Sequence, residues 1–269
     1  MAQPGAELSE GFLRHMILNS IRMYNKKYRD EFGQLVIACD GAHSWRKRVF
    51  PQYKAHRKKA RAESTMDWDL FFKYLNTIRE EIKANFPYKF VHLEGVEADD
   101  VIATLVEQTQ EFGKAEPVMI ISSDGDFIQL QKYKNVKQFS PIQKKLVTDS
   151  NPRLYLFEHI IRGDKGDGIP NILSGDNTIV DGARQAPVTQ KKIDAWLASA
   201  EDLKNAMDSE TYRNYQRNEL LIDLSKIPQD IKEQIINTYE TQDMAPRARI
   251  LDYLIKKRCN LLVESVSEF

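Results

Sequence analysis

Residues 118–126 read VMIISSDGD, and this stretch decides the predicted fold. A short apolar, β-branched run that ends in Asp and Gly is typical of a buried strand followed by a polar turn. Residues 35–41 repeat the pattern as LVIACDG, and residues 88–93 alternate like a third strand between them. The sequence therefore predicts a sheet whose strands end in acidic side chains.

Helical patterns separate these strands. Apolar residues recur at helical spacing over Phe12–Tyr28, and Met66–Phe86 indicates a second helix that Ser64 or Thr65 would cap. A third helix is predicted over Glu97–Phe112. The alternation of strand and helix predicts an α/β fold with a mainly parallel central sheet and helices on both faces.

The sequence pattern changes near residue 151. Beyond it, residues 151–161 and much of 191–256 have helical patterns, separated by a Gly-, Asp- and Asn-rich stretch at 163–185. We therefore predict an α/β core over residues 1–150 and a mostly helical part over residues 151–269. A length of 269 residues with 42% hydrophobic side chains is sufficient for both.

The composition also excludes some classes of protein. No apolar run is long enough to span a bilayer, and the leader MAQPGAELSE lacks the pattern of a secretory signal. Cys39 and Cys259 fit no metal-ligand spacing, and Cys39 is predicted to be a small buried residue. These features predict a protein of the reducing cytoplasm with no membrane partner.

Acidic residues follow the predicted strands and helices at the same pole. In an open parallel sheet, ligands bind beyond the carboxyl ends of the strands. Carboxylates gathered there repel one another unless cations lie among them, and hard oxygen ligands suit Mg²⁺ or Mn²⁺. The residues in question are Asp40, Glu97, Asp99, Asp100, Asp124, Asp126, Asp164 and Asp167.

Each acidic motif also has a simpler explanation. Glu97, Asp99 and Asp100 could only complement a helix dipole, and Asp-Gly after a strand is often just a turn. Asp164 and Asp167 could form a solvated helix end. Four such coincidences at element ends are less plausible together than one shared metal site.

Residues 46–61 read RKRVFPQYKAHRKKAR, with eight Lys or Arg and no acid. A basic segment with interleaved Phe50 and Tyr53 suits a nucleic-acid backbone and its bases, although a solvated basic helix face is the alternative. Pro51 argues against one unbroken helix. If a helix resumes directly after it, Tyr53 shares a face with Arg57 and Arg61. The predicted DNA-binding residues are Arg46, Lys47, Arg48, Lys58, Lys59 and Arg61.

The order of these segments resembles one family. Asp40 with its basic segment is followed by EADD at 97–100, SSDGDF at 122–127 and GDKGDG at 163–168. Supporting stretches are RHMILNSI at 14–21 and LLIDLSKIP at 220–228. Together they resemble the flap endonuclease and 5′-3′ exonuclease family, in particular the ribonuclease H of T4-type phages.

The resemblance implies a PIN-like α/β fold with a basic arch, here at about residues 41–65, and a helical C-terminal part. In that arch Lys54 and Arg57 would stabilise the scissile phosphate, and Tyr53 would stack on a base. The implied cofactor is a pair of Mg²⁺ ions, with Mn²⁺ as a substitute. The metal ligands that the resemblance implies are Asp40, Glu97, Asp99, Asp124, Asp126 and Asp167, with Asp164 beside them.

The resemblance implies hydrolysis at the 5′ end of RNA or DNA annealed to DNA, as in primer removal during replication. The substrates would be 5′-flap or nicked duplexes and RNA–DNA hybrids, in the cytoplasm of a host cell if a phage encodes the chain. Protein partners common in the family are single-strand-binding proteins and sliding clamps.

Two departures from the family pattern leave alternatives open. The family begins with a strand whose aspartate joins the metal site, and residues 1–33 contain no such strand. A catalytically impaired protein that binds branched DNA is therefore the competing interpretation. Residues 171–185 also lack the regular Gly-rich hairpin that grips duplex DNA in many relatives. A third interpretation is an α/β phosphoesterase with Asp40 as nucleophile, which the basic segment disfavours.

Overall fold

The structure is a computed structural model that describes residues 9–269, without the side chains of residues 59, 60 and 112. The predicted absence of a signal in the leader therefore concerns residues mostly outside the described ones. Contacts divide the chain into two compact units. The first holds the residues up to Ile37, Thr65–Val91 and Asn237–Phe269, and the second holds Ala38–Ser64 and His92–Ile236. Each unit thus draws residues from both sides of position 150.

Helices make up most of the described chain, and none of those within residues 9–269 is long and apolar enough to cross a membrane. The helices are α1 (Glu10–Phe32), α2 (Arg46–Val49), α3 (His56–Ala62), α4 (Trp68–Asn85), α5 (Ala98–Gln108), α6 (Pro152–Arg162), α7 (Gln190–Ala198), α8 (Leu203–Ala206), α9 (Ser209–Ile222), α10 (Gln229–Thr241), α11 (Arg249–Lys256) and α12 (Asn260–Val263).

Five strands form two small sheets among the described residues. They are β1 (Val36–Cys39), β2 (Lys89–His92), β3 (Val118–Ile121), β4 (Val136–Ser140) and β5 (Lys145–Val147). β1 pairs with β2, β3 pairs with β4 in parallel, and β4 pairs with β5 antiparallel. The α/β class and the three predicted strands are confirmed, but the strands form two sheets.

The sequence did not predict β4 and β5, and the reason is a buried amide. Gln138 in the middle of β4 is 1% exposed, and its side-chain amide donates to the carbonyl oxygens of Ser122 (3.1 Å) and Asp124 (2.6 Å). This polar residue on the inner face breaks the alternation by which a strand is recognised. The same bonds fix the backbone that carries Asp124.

Three local predictions are wrong. Asp67, and not Ser64 or Thr65, caps α4, because its side chain accepts from the Leu70 amide at 2.9 Å. α5 ends at Gln108, before a short 3₁₀ turn. Cys39 is half-buried, since all four residues of β1 keep partial exposure.

The core of the first unit gathers aromatic rings around the end of the chain. Phe86 and Phe269 are fully buried, with ring centroids 5.2 Å apart, and Tyr253 packs edge-on against Phe86. The Tyr253 hydroxyl and the Arg14 guanidinium both bind the carboxylate of Glu81 at 2.7 Å. This ion pair compensates the partial burial of Arg14 and Glu81.

In the second unit, two strand-exit loops are bonded together. The Gly41 amide donates to the Val96 carbonyl, and the Gly95 amide donates to the Ala42 carbonyl, both at 2.8 Å. A β-carbon at Gly41 would overlap the carbonyl group of Leu93, so only glycine permits this approach. The close contact brings Asp40 to α5, where its Oδ1 accepts from the Ala98 amide at 2.9 Å.

We predict that Gly41→Ala lowers the free energy of unfolding by about 3 kcal/mol, because the added methyl group forces two backbone segments apart. The matched control is Gly11→Ala in α1, where a β-carbon meets nothing within 4 Å. That change should raise stability by about 0.5–1 kcal/mol through helix propensity. Denaturant titration of both variants measures the difference. Equal stability of Gly41→Ala and the parent would contradict this packing.

Candidate metal and nucleic-acid site

Aspartates from three places in the second unit meet at one small cavity. Asp99 lies in the first turn of α5, Asp126 follows β3, and Asp164 and Asp167 lie in the loop after α6. All four residues line a cavity of about 10 Å³, about the size that one water molecule requires. Arg46, Tyr53 and four apolar residues line the rest of it. The structure thus brings together residues separated by up to 68 positions, 99 to 167.

Two groups of potential ligand atoms lie within this region. The carboxylates of Asp99, Asp124 and Asp126 place one oxygen each within 4.8 Å of the others. Asp126 and Asp164 form a second group of the same size with the imidazole of His159. Because Asp126 belongs to both groups, the two potential metal positions adjoin.

Local backbone bonds hold these aspartates in place. Asp124 accepts from the Asp126 amide at 3.0 Å, which fixes the turn after β3. Asp164 accepts from the Asp167 amide at 3.0 Å, and its carbonyl accepts from the Ile169 amide at 2.7 Å. Gly163 precedes this turn at φ +68°, and a side chain there would overlap the Pro170 backbone. The GDKGDG sequence therefore forms a closed loop.

The carboxylates of this cluster are electrostatically strained. Burial and the neighbouring charges of Asp124 and Asp126 raise the pKa of Asp99 to about 8. Burial also raises the pKa of Asp126, although the hydrogen bond from His159 opposes that change. A divalent cation among these oxygens would relieve both effects, so the residues present fit a metal ion.

Asp40, Glu97 and Asp167 were also predicted as ligands, and all three lie outside both groups. Asp40 is exposed and caps the backbone of α5 through Ala98. Glu97 is 5% exposed and accepts from Lys54 at 2.5 Å and from Arg46 at 2.9 Å. Burial alone would raise the pKa of Glu97. Lys54 and Arg46 lower this pKa by a larger amount, so its net shift is downward.

Asp167 connects the acidic cavity to the basic segment. Its carboxylate accepts from the Tyr53 hydroxyl at 2.7 Å and from the Arg57 guanidinium at 2.6 Å, and Lys54 lies 3.5 Å away. Burial would lower the pKa of Lys54, but Asp167 and Glu97 raise it more strongly. Lys54 and Arg57 are therefore held as cations at the edge of the aspartate cluster.

The first half of the basic segment belongs to the core. This position corrects two predictions, base stacking by its aromatic residues and DNA binding by Arg46. Phe50 and Tyr53 are 3% and 2% exposed and pack in the same hydrophobic cluster as Ile161 and Ile169. They are thus not available to stack on bases in this structure, because these two side chains pack against residues of the C-terminal half. Arg46 is 3% exposed. Its guanidinium forms ion pairs with Glu97 and Asp100 and donates to the Leu221 carbonyl.

The predicted break in the basic segment is confirmed, but the predicted helix face is wrong. α2 ends at Val49 before Pro51, and α3 begins only at His56. Tyr53 therefore lies outside the helix that carries Arg57 and Arg61. The exposed cations among the predicted DNA-binding residues are Lys47, Arg48, Lys58 and Arg61, and the side chain of Lys59 lies outside the described part of the chain.

The sequence analysis missed His159. It lies in the last turn of α6, with its Nε2 3.0 Å from Asp126 Oδ1. Burial opposes its protonation, but Asp126 outweighs that effect and raises the pKa of His159. The available indication was its position five residues before Asp164, on a helix that ends at the acidic loop.

Comparisons with known proteins agree with this geometry. Residues 2–154 match the family model of the 5′-3′ exonuclease N-terminal resolvase-like domain, and residues 150–269 match the C-terminal domain of T4 RNase H. The chain is also 35% identical to the ribonuclease H of Enterobacteria phage T4, over 98% of this chain and 88% of that protein.

Solved structures show the same fold at lower identity. A T5 5′-exonuclease with bound zinc has a TM-score of 0.59 and 21% identity, and covers 89% of this chain and 93% of its own. A bacteriophage T5 flap endonuclease in a complex with DNA and metal ions has a TM-score of 0.58 and 20% identity, with coverages of 89% and 94%. The fold is that of the phage 5′ nucleases, and the chain belongs to the 5′-3′ exonuclease family.

Proposed function

We propose that the chain is a divalent-metal-dependent 5′ nuclease that hydrolyses phosphodiester bonds at 5′ ends of strands annealed to DNA. The observation that carries this proposal is the cavity lined by Asp99, Asp126, Asp164 and Asp167, with Lys54 and Arg57 bonded at its edge. The phage T4 relative is named a ribonuclease H, and a T5 relative of the same fold is a flap endonuclease with DNA and metal ions. These names support primer and flap removal as the role.

The proposed cofactor is a pair of divalent ions, Mg²⁺ with Mn²⁺ as a substitute, one for each group of ligands that meets at Asp126. Bound ions of this kind supply a water of lowered pKa and stabilise charge on the phosphate oxygens. The aspartates would hold them, because hard carboxylate oxygens are the ligands that Mg²⁺ prefers. Asp126 would lie between the two positions, since it belongs to both groups.

The basic residues at the edge of the cavity would bind and orient the phosphate. Lys54 and Arg57 are held near Asp167 as cations, so they are placed to contact a phosphate that lies against the aspartates. Preorganised cations contribute most where negative charge develops during the reaction. The exposed Lys47, Arg48 and Lys58 would instead hold the strand through its other phosphates.

The competing proposal is a branched-DNA-binding protein with impaired cleavage. Residues 10–32 form α1, and none of residues 9–39 adds a carboxylate to the two ligand groups. That the first aspartate of the family site is missing stays a prediction from the resemblance. Both proposals keep DNA as the substrate or partner, and metal-dependent turnover separates them. Association with single-strand-binding proteins or a clamp stays a prediction from the resemblance.

We predict that Asp124→Asn and Asp126→Asn each lower Mg²⁺-dependent cleavage by about 10³-fold, because a metal ligand is lost. The thermal midpoint should stay the same or rise, since one of several repelling carboxylates is neutralised. Cleavage of 5′-flap and RNA–DNA hybrid substrates, with and without Mg²⁺, measures the effect. Asp181→Asn at an exposed position is the control. Parent-like cleavage by either variant at saturating Mg²⁺ would remove the metal assignment.

We predict that two of the basic residues act in catalysis and that others act in DNA binding. Lys54→Met and Arg57→Gln should lower kcat by about 10²–10³-fold, because each removes a cation aimed at developing charge. Lys47→Gln and Lys58→Gln should leave kcat near the parent value and weaken DNA binding. Each lost phosphate contact should reduce the slope of log K against log salt by about 0.9. If both pairs of variants change only the salt slope, Lys54 and Arg57 act only in binding.

We predict a pH dependence that follows Asp99. Its pKa of about 8 means that Mg²⁺ affinity rises as pH increases to about 8 and then levels off, because the protonated carboxyl binds metal poorly. The folded pKa lies above the unfolded value of about 3.9, so this group stabilises the fold at low pH. That contribution is lost as pH rises through about 8.

Thermal midpoints in EDTA test the stability effect. Between pH 5 and pH 9, the thermal midpoint of the parent should fall by a few °C more than that of Asp99→Asn. This follows from about 2–4 °C per kcal/mol of lost stability. Asp30→Asn, whose side chain is 96% exposed, is the control and should keep the parent slope. If the thermal midpoints of Asp99→Asn and the parent change equally with pH, the pKa of Asp99 is not raised in the folded protein.

A further inference from the structure

The second ligand group contains a nitrogen atom. His159 Nε2 lies 3.0 Å from Asp126 Oδ1 and 3.7 Å from Asp164 Oδ2, and the His159 side chain is 20% exposed. The ring centroids of Tyr155 and His159 lie 5.9 Å apart and the two ring planes differ by 18°, so the rings stack. α6 and this stacking together aim the imidazole at the two carboxylates.

We propose that His159 is a metal ligand, which makes the position between Asp126 and Asp164 selective for a transition metal ion such as Mn²⁺ or Co²⁺. The proposal rests on the proposed function, since it deepens the metal site described there. The position formed by Asp99, Asp124 and Asp126 offers only oxygen and keeps its preference for Mg²⁺. The chain thus has two adjoining positions with different metal preferences.

The distances fit a shared metal ion. Metal–nitrogen and metal–oxygen bonds of about 2.1 Å place two ligand atoms about 3.0 Å apart at a right angle and about 4.2 Å apart on opposite sides. The observed separations of 3.0 Å and 3.7 Å fall within this window. An ion pair between His159 and Asp126 accounts for the first distance only, and Asp164 Oδ2 at 3.7 Å completes a group of three ligand atoms.

The donor chemistry then sets the preference. Imidazole nitrogen binds later first-row metals more tightly, and affinity rises from Mn²⁺ to Co²⁺ at a given site. Mg²⁺ prefers oxygen ligands and gives up its water reluctantly. Replacing one oxygen ligand by a nitrogen therefore favours Co²⁺ and Mn²⁺ over Mg²⁺ at this position only.

The test uses the full chain with Mn²⁺, Co²⁺ and Mg²⁺ as separate probes. Pulsed EPR of the Mn²⁺-loaded protein should show coupling to one ¹⁴N nucleus, and His159→Gln should abolish it. In calorimetric titrations, His159→Gln should lower Mn²⁺ and Co²⁺ affinity at one site by at least about tenfold, the lower end for disturbing a metal site. Mg²⁺ affinity should change by less than about threefold. His15→Gln, on α1, is the matched control.

A second variant guards against loss of structure. Asp164→Asn should weaken the same site but retain the ¹⁴N coupling, because the imidazole remains. If Mn²⁺ binds and supports cleavage without ¹⁴N coupling, His159 is only an ion-pair partner of Asp126 and the inference fails, while the proposed function stands. If none of the three metals binds to the folded parent, the proposed function fails as well.

Discussion

Four polar side chains contact the carboxylate of Glu97, and the rest of the site depends on this buried interaction. Burial would raise its pKa, but the cations among its partners keep it ionised. A buried charge with this many partners is costly to disturb, because loss of one partner leaves an uncompensated charge. The interaction joins the loop after β1 to the start of α5. Ser44, Arg46 and Lys54 donate to the Glu97 carboxylate, and the Tyr53 hydroxyl shares its one proton between Glu97 and Asp167.

The same interaction separates the charges of the site. Lys54 and Arg46 neutralise Glu97. Asp99, two residues later, faces Asp124 and Asp126, and Lys54 only partly offsets their effect on its pKa. Protonation at neutral pH or a divalent ion can satisfy that cluster. The chain has a net charge of zero, yet it holds a cationic edge beside an anionic cavity. This arrangement suits a reaction in which metals act on one phosphate and cations hold it.

Much of the fold could be predicted because the relevant patterns are local. The apolar runs before Asp40 and Asp124 form strands as expected, and Pro51 divides the basic segment. The Gly-rich loop at 163–168 supplies two aspartates to the cavity. β4 was not predicted, because a buried Gln138 is satisfied by carbonyl groups that only folding brings near. The aromatic residues of the basic segment were expected to contact bases, but Phe50 and Tyr53 pack in the core of the second unit.

The sequence by itself determined most of the elements and which acidic residues lie at their ends, because periodicity, turns and caps act over a few residues. Only the tertiary structure decided which carboxylates share a cavity and which are neutralised by cations. Glu97 and Asp99 are two positions apart, yet one binds Lys54 and the other faces Asp124. His159 became a candidate ligand for the same reason, since its distance from Asp126 is set by packing between segments remote in sequence. Interactions between such segments depend on distance in space, which local sequence patterns do not specify.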